Sequence, residues 1–261
     1  MIPEPHASFL RTALARLESD RRIVGVAAGG SLLTGTMDEF SDLDLVVAIE
    51  PSAYHDVLAQ RASIAASLGS LLSAFTGEHV GEPRLSICLY GPDPLLHVDL
   101  KFVSLTDFAA RVEDPRVLWE RDERLTTALG ADVARFPEPD RQWIEDRFWV
   151  WAHYGAGKIG RGELFEALDF LSFLRGQVLG PLALSSVGAR PSGVRKIERL
   201  APQRAKQLQA TVAAHDAASC AHALAAAIEM YRGLRGGDGI ELRSDAERAA
   251  VAYLAEITGR I

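Results

Sequence analysis

The first fifty residues alternate between helix-like and strand-like hydrophobic patterns. In residues 8–21, apolar side chains recur at spacings of three and four, which predicts an amphipathic helix. The short apolar segment at 23–28 contains β-branched residues and ends at two glycines, so it predicts a strand that enters a tight turn. The segment at 43–50 alternates at its start and ends before Pro51, which predicts a second strand.

A long helix and a β-hairpin are predicted next. Residues 54–75 are rich in Ala and Leu, which favours helix throughout this segment. The apolar segments at 84–91 and 95–105 flank a Gly-Pro-Asp-Pro sequence, and this arrangement is typical of two antiparallel strands joined by a turn.

The pattern changes after the hairpin. From about Asp107 onwards strand-like segments stop, and residues 143–180 and the Ala-rich segments behind them have helical periodicity. These patterns predict an α+β fold, with a mixed-sheet domain over residues 1–113 and an all-helical bundle domain over residues 114–261. No internal repeat or low-complexity linker marks the border between them.

Composition and charge narrow the classes of function. The chain is 48% hydrophobic and 24% charged, as expected of a globular protein, and its net charge is −7. That charge disfavours long nucleic acids as partners, because phosphate binding depends mainly on clustered Lys and Arg, and it suits a cationic substrate or a metal ion. The N-terminal segment lacks the apolar core of a signal peptide, and no run of 18 apolar residues occurs.

The two cysteines indicate the compartment. Cys88 and Cys220 lie far apart in apolar segments and outside any CxxC pair, so we interpret both as buried thiols in a reducing environment. We therefore expect a cytoplasmic protein without a membrane partner, either a monomer or a homodimer.

The strongest chemical signal is a pair of carboxylates at the start of the second predicted strand. Side chains two residues apart on a strand point to the same face, so Asp42 and Asp44 share a face while Leu43 and Leu45 point into the core. Two carboxylates about 6 Å apart repel each other by about 3 kcal/mol at an effective dielectric constant near 20. A cation relieves this repulsion, and oxygen ligands of this kind suit Mg²⁺ with a bound phosphate, which points to phosphoryl or nucleotidyl transfer.

A glycine-serine turn precedes the carboxylates by about a dozen residues. Gly29 and Gly30 let the backbone approach an anion, and Ser31 offers a hydroxyl and an N–H. If a short helix begins here, its N-terminus adds a favourable dipole for phosphate. The turn and the carboxylates together predict one site for a metal-bound phosphate.

These residues resemble the signature of a known family. Gly30-Ser31, ten intervening residues and then Asp42-Leu43-Asp44-Leu45 resemble the motif of the DNA polymerase β-like nucleotidyltransferase superfamily. The resemblance implies a third carboxylate on a later strand, which either completes the metal site or acts as general base, and Asp99 in the segment 95–105 fits that position. It also implies that Gly29, Gly30 and Ser31 hold the β- and γ-phosphates of ATP, or of another nucleoside triphosphate, while Asp42, Asp44 and Asp99 form the catalytic metal site for Mg²⁺.

The second half of the chain is similar to a narrower group. Residues 147–175 resemble the helices that follow the catalytic domain in bacterial aminoglycoside 6-adenylyltransferases and related lincosamide enzymes. This resemblance implies that residues 114–261 bind the acceptor and that Lys158 reaches the triphosphate, with Trp151 or Tyr154 lining the cleft. A structural role for Lys158 at a helix C-terminus, beside an aromatic core, is an equally good interpretation.

Several acids of the second half are candidate ligands for a polyamine-like acceptor, although solvent-exposed helix faces would explain them as well. These acids are Glu145, Glu163, Glu166 and Asp169.

The sequence thus predicts an adenylyltransferase-type enzyme that uses Mg²⁺ and ATP to modify a hydroxyl group of a small molecule, with a role in antibiotic resistance. A protein-adenylylating, antitoxin-like enzyme is an alternative, but such proteins are usually little more than the catalytic domain. A non-catalytic nucleotide-binding module of the same fold is a second alternative, which the loss of a metal carboxylate would mark.

Overall fold

The computed structural model describes residues 2–236 and 239–261, and the chain forms two compact units, Met1–Arg135 and Phe136–Ile261. The first unit extends past the expected domain boundary between residues 113 and 114. The reason is a strand at Arg116–Glu120 that pairs with the strand at Ile23–Ala28, followed by a helix of the same unit. The expectation that strands stop after about Asp107 is therefore wrong.

A six-stranded mixed sheet forms the centre of the first unit. Its strands are β1 (Ile23–Ala28), β2 (Leu43–Ile49), β3 (Leu71–Gly77), β4 (Glu82–Tyr90), β5 (Leu96–Ser104) and β6 (Arg116–Glu120). Their order across the sheet is β3-β4-β5-β2-β1-β6. Strands β2 and β5 pair in parallel, and the other neighbouring pairs are antiparallel, including the predicted β4–β5 hairpin.

Helices cover one face of the sheet and part of the other. The first-unit helices are α1 (Glu4–Ser19), α2 (Tyr54–Ala59), α3 (Arg61–Ser67) and α4 (Arg124–Gly130). Buried residues of α1, α2 and α3 pack with Leu43 and Leu45 of β2, whereas Leu125 of α4 packs on the opposite face with Ala48 and Phe108. The remainder of that second face is where the polar side chains of β2 and β5 lie.

The helix expected over residues 54–75 is wrong in its last part. Helices α2 and α3 occupy residues up to Ser67, but Leu71–Gly77 is the edge strand β3, which pairs with β4. Pairing with a neighbouring strand overrides the helix propensity of an Ala/Leu-rich segment, and that pairing is not visible locally in the sequence.

The second unit is helical, which confirms the predicted α+β class with a C-terminal bundle. Its helices are α5 (Arg141–Gly160), α6 (Leu164–Leu174), α7 (Gly180–Ser185), α8 (Ile197–Leu200), α9 (Pro202–Gln209), α10 (Ala217–Leu234) and α11 (Ser244–Thr258), with a π-helical segment at Arg175–Leu179. Phe148, Trp149 and Tyr231 pack at the centre of its core, where the rings of Phe148 and Tyr231 stack at 3.8 Å between centroids. Among the described residues, no helix is long and apolar enough to span a bilayer.

A carboxylate lies inside this helical core. Glu145 is fully buried, and its carboxylate accepts hydrogen bonds from the Tyr231 hydroxyl at 2.6 Å, the Trp149 indole at 3.0 Å and the Arg243 backbone N–H at 2.9 Å. The sequence suggested that Glu145 either binds the acceptor substrate or is exposed to solvent, and both interpretations are therefore wrong. Its role is to hold α5, α10 and the segment before α11 together.

Candidate active site

Strand register brings two of the predicted carboxylates together. Asp44 on β2 lies directly opposite Asp99 on the parallel strand β5, and Asp42 immediately precedes β2. Each of the three offers a carboxylate oxygen, and these oxygens lie within 4.8 Å of one another. All three side chains are half-buried, so they form one cluster on the open part of the sheet.

The alternation of side chains along the two strands explains the cluster. Leu43 and Leu45 are buried on the helix-covered face, and so are Val98 and Leu100 on β5. Side chains between such residues must point to the opposite face, and this fixes the direction of the central carboxylates. The apolar core therefore determines the geometry of the polar cluster.

This cluster fits a divalent cation. Carboxylates separated by about 5 Å repel each other by about 3 kcal/mol per pair at an effective dielectric constant near 20. A hard cation such as Mg²⁺ accepts carboxylate oxygens as ligands and cancels that repulsion. The donor set contains oxygen atoms only, which is the chemistry that Mg²⁺ prefers.

The glycine turn lies against the same cluster. The Gly29 N–H donates to the backbone oxygen of Asp44 at 2.9 Å, and Gly30 has a φ of +62°. A Cβ atom on Gly30 would lie 1.9 Å from Oδ2 of Asp44. Glycine at position 30 therefore serves two purposes, since it permits the left-handed conformation and leaves room for the Asp44 carboxylate.

The serine of the turn has an unsatisfied hydroxyl. Oγ of Ser31 is buried and has no hydrogen-bond partner within the described part of the chain. A buried hydroxyl of this kind costs free energy unless a ligand or water satisfies it, so it fits a phosphate oxygen. The segment Gly30–Leu32 is a single 3₁₀ turn, so no dipole of a longer helix contributes here.

One carboxylate near the turn was missed in the sequence. Oε1 of Glu113 accepts a hydrogen bond from the Gly30 N–H at 3.3 Å, across 83 positions of the chain. The contact depends on the loop before β6, and no local pattern around Glu113 indicates it.

Neighbouring side chains of β5 are held by specific partners. Nε2 of His97 lies 3.0 Å from Oδ1 of Asp99, because residues two apart on a strand share a face. The Lys101 ammonium lies 2.8 Å from Glu82, which also pairs with Arg84 through two hydrogen bonds of 2.7 Å. The hydrogen bond from Arg84 lowers the pKa of Glu82 to about 2, so this acid stays ionised and holds Lys101.

A cleft of about 270 Å³ opens beside the carboxylates. It contacts the turn, the cluster and the loop before β6, and its charged or turn residues are Gly29, Asp44, Glu82, Arg84, Asp99, Lys101, Asp107, Arg111 and Glu113. The charged side chains in its lining and its volume suit a small charged ligand.

Lys158 lies in the second unit, near the C-terminus of α5. Its ammonium group pairs with Glu163 at 2.7 Å and with Glu166 at 2.6 Å, and it lies over the Tyr154 ring. The hydrogen bonds that the ammonium donates to Glu163 and Glu166 raise the pKa of Lys158, so the side chain stays charged. The predicted contact of Lys158 with a triphosphate stays a prediction.

Comparison with a protein-family model agrees with the site geometry. Residues 10–76, which include the glycine turn, Asp42 and Asp44, match the model described as "Nucleotidyltransferase domain". Residues 10–76 of the first unit are therefore similar to a nucleotidyltransferase domain. The sequence resemblance based on Gly30, Ser31, Asp42 and Asp44 is thereby confirmed.

Two solved structures are similar to the whole chain at low identity. One is an aminoglycoside 6-adenyltransferase from Bacillus subtilis, with 16% identity, coverage of 100% of this chain and 97% of that chain, and a TM-score of 0.35. The other is a nucleotidyltransferase-like protein from Exiguobacterium sibiricum, with 16% identity, coverage of 97% and 80%, and a TM-score of 0.39. No curated protein matches the chain.

Proposed function

We propose that the protein transfers AMP from ATP to a hydroxyl group of a small molecule, with Mg²⁺ bound at the carboxylate cluster. The observation that carries this proposal is the meeting of Asp42, Asp44 and Asp99 beside the Gly30-Ser31 turn. A carboxylate cluster that binds a metal would by itself suit many reactions. A phosphate-binding turn in contact with the cluster favours transfer from a nucleotide.

The residues of the turn and the cluster divide the work between them. When bound, Mg²⁺ supplies positive charge to the phosphates and increases the electrophilicity of the α-phosphorus. Gly29, Gly30 and Ser31 would hold the β- and γ-phosphates, so that pyrophosphate is the leaving group. Asp42 and Asp44 would hold the metal, and Asp99 would either complete its coordination or accept the proton of the acceptor hydroxyl.

The reaction balances as a substitution at phosphorus. A bond forms between the acceptor oxygen and the α-phosphorus, and the bond from that phosphorus to the bridging oxygen of pyrophosphate breaks. The hydroxyl proton passes to a carboxylate of the site or to water. Rigid strands on both sides of the cluster fix the direction of approach, which supports this use of the site.

The acceptor class is the less constrained half of the proposal. The net charge of −7 favours a cationic or neutral acceptor over a nucleic acid. Together with the resemblance of residues 147–175 to the antibiotic-modifying group, it supports an aminoglycoside- or lincosamide-type acceptor, with the helical unit as the acceptor-binding part and Lys158 as a further phosphate ligand.

A pyrophosphate-release assay tests the proposal. The full chain is incubated with Mg²⁺ and ATP, and with an aminoglycoside, a lincosamide or a purified protein as acceptor, alongside an Asp44→Ala variant. Release with a small molecule, absent from the variant, is the expected result. Release only with protein acceptors would favour the protein-adenylylating alternative, and binding of ATP without release would favour the non-catalytic module.

A further inference from the structure

The proposed phosphate-binding turn, Gly29–Ser31, here called the phosphate cradle, is in contact with a carboxylate of this chain. The Gly30 N–H donates to Oε1 of Glu113 at 3.3 Å, and a Cβ on Gly29 would lie 3.0 Å from the same oxygen. A carboxylate oxygen and a phosphate oxygen accept hydrogen bonds from a backbone N–H in the same manner. Glu113 thus occupies a position that a phosphate oxygen would need.

The loop that carries Glu113 is anchored on the protein. The Arg111 guanidinium is largely buried and donates to the backbone oxygens of Leu129 at 2.9 Å, Ala109 at 3.0 Å and Asp132 at 2.7 Å. It also pairs with Asp114 at 2.7 Å, so the residues on both sides of Glu113 are fixed. Such anchoring indicates that the approach of Glu113 to the turn is a property of the fold.

Glu113 is distinct from the metal cluster. Among the described residues, the carboxylates that lie mutually within 4.8 Å are those of Asp42, Asp44 and Asp99, and Glu113 does not belong to that group. Its carboxylate accepts the hydrogen bond from the Gly30 N–H of the turn. The position of Glu113 therefore favours competition with phosphate for the Gly30 N–H over coordination of the metal.

We propose that the Glu113 carboxylate competes with the β- and γ-phosphates of the nucleotide for the Gly30 N–H. Glu113 accepts this hydrogen bond when no phosphate is bound, and a pyrophosphate-type anion displaces it on binding. This inference rests on the proposed function, because it concerns the same cradle. Its consequence is that the triphosphate binds less tightly than the cradle alone would allow, and that pyrophosphate leaves faster because a carboxylate takes its place.

Affinity for inorganic pyrophosphate tests the competition without any turnover. Calorimetric titration of Mg²⁺-pyrophosphate is performed on the full chain and on the Glu113→Ala and Glu113→Gln variants. In Glu113→Ala, the carboxylate that competes with pyrophosphate for the Gly30 N–H is removed, so the affinity for pyrophosphate is expected to rise by about tenfold. A smaller rise in affinity is expected in Glu113→Gln. The control is Glu39→Gln, which removes one negative charge from an exposed loop of the same unit and is expected to change affinity less than about twofold.

The Gly30 amide gives a second readout. In ¹⁵N-labelled protein, its resonance is expected to move on Glu113→Ala substitution, and added pyrophosphate should shift it in every variant. Unchanged or weaker pyrophosphate binding in Glu113→Ala would overturn this inference but not the proposed function. An equal gain in affinity in Glu39→Gln would also overturn it, since the effect would then come from net charge alone. Absence of pyrophosphate binding in all four proteins would contradict the proposed function as well.

Discussion

Asp44 and Asp99 are neighbours across two parallel strands, although 54 residues of chain separate them. Parallel pairing of β2 and β5 places both on the open face, while the flanking leucines and valine are buried on the other. The register places the two residues opposite each other, and the buried core fixes that register. Their proximity is therefore a property of the fold, and the predictions on activity below depend on it.

Removing one carboxylate of the pair should separate activity from stability. Asp44→Ala is expected to abolish transfer because the metal loses a ligand, and to leave the metal-free protein as stable as the parent or more stable by about 1–3 kcal/mol, because the repulsion is relieved. Pyrophosphate release and urea unfolding without Mg²⁺ measure the two effects. The control is Glu39→Ala, an exposed loop acid, for which both quantities should stay unchanged. Normal turnover in Asp44→Ala would remove the basis of the metal site.

The third carboxylate should affect chemistry more than nucleotide binding. Asp99→Asn keeps the shape of the side chain but removes its charge, so turnover is expected to fall by about 100-fold or more, with only a modest change in ATP affinity. Comparison of kcat and of the Kd for an ATP analogue checks the split. Near-normal turnover would show that another acid fills the third position. A large loss of both quantities would instead assign Asp99 to the metal.

The absence of a side chain at Gly30 should be essential for activity, whereas the same absence at another glycine with positive φ should not. Gly30→Ala introduces a methyl group that collides with the Asp44 carboxylate and also strains a φ of +62°, so activity should fall by at least about 100-fold and stability by about 1–2 kcal/mol. Gly35→Ala is a matched control, since Gly35 has a φ of +64° but nothing within 4 Å of the added atom. It should lose about 1 kcal/mol of stability and keep its activity. Equal loss of activity in both variants would attribute the effect to backbone strain.

The shared face of Asp42 and Asp44 could be predicted from sequence because its cause is local, whereas the position of Asp99 followed from the family resemblance. Alternation of apolar and acidic residues over Asp42–Leu45 and around Asp99 sets which side chains share a face, and that periodicity holds in any regular strand. The glycine-serine turn could also be predicted, because two adjacent glycines after a strand indicate a tight turn that the backbone of other residues adopts less readily.

The parts that could not be predicted depend on contacts distant in sequence. Strand β3 has helix-favouring residues, and β6 is only five residues long, so each is defined by its partner strand rather than by its own pattern. The contact of Glu113 with Gly30 and the burial of Glu145 likewise require the chain to fold before they exist. The inclusion of β6 in the first compact unit follows from the same cause, since its pairing with β1 joins it to the sheet.

Glu145 gives a prediction for the stability of the helical unit. Burial raises the pKa of this carboxyl, but hydrogen bonds from Tyr231, the Arg243 N–H and Trp149 outweigh it, so the pKa lies below the ordinary value of 4.5. Replacement by Gln substitutes a neutral amide with one donor group for an acceptor of several bonds, and Glu145→Gln is expected to destabilise the protein by about 2–4 kcal/mol at pH 7. Urea unfolding followed by tryptophan fluorescence measures the difference.

The same substitution predicts the direction of a pH dependence. Because the pKa of Glu145 is lower in the folded protein than in the unfolded chain, its ionisation stabilises the fold fully above about pH 4.5, and this contribution is lost as the pH falls through the folded-state pKa. The gap in stability between the parent and Glu145→Gln should therefore be constant from pH 7 to about pH 5 and narrow below pH 4.5. Glu229→Gln, which alters an exposed acid of α10, is the control and should change stability by less than about 0.5 kcal/mol. A gap that stays constant down to pH 3 would show that the folded core binds Glu145 equally well in its protonated form.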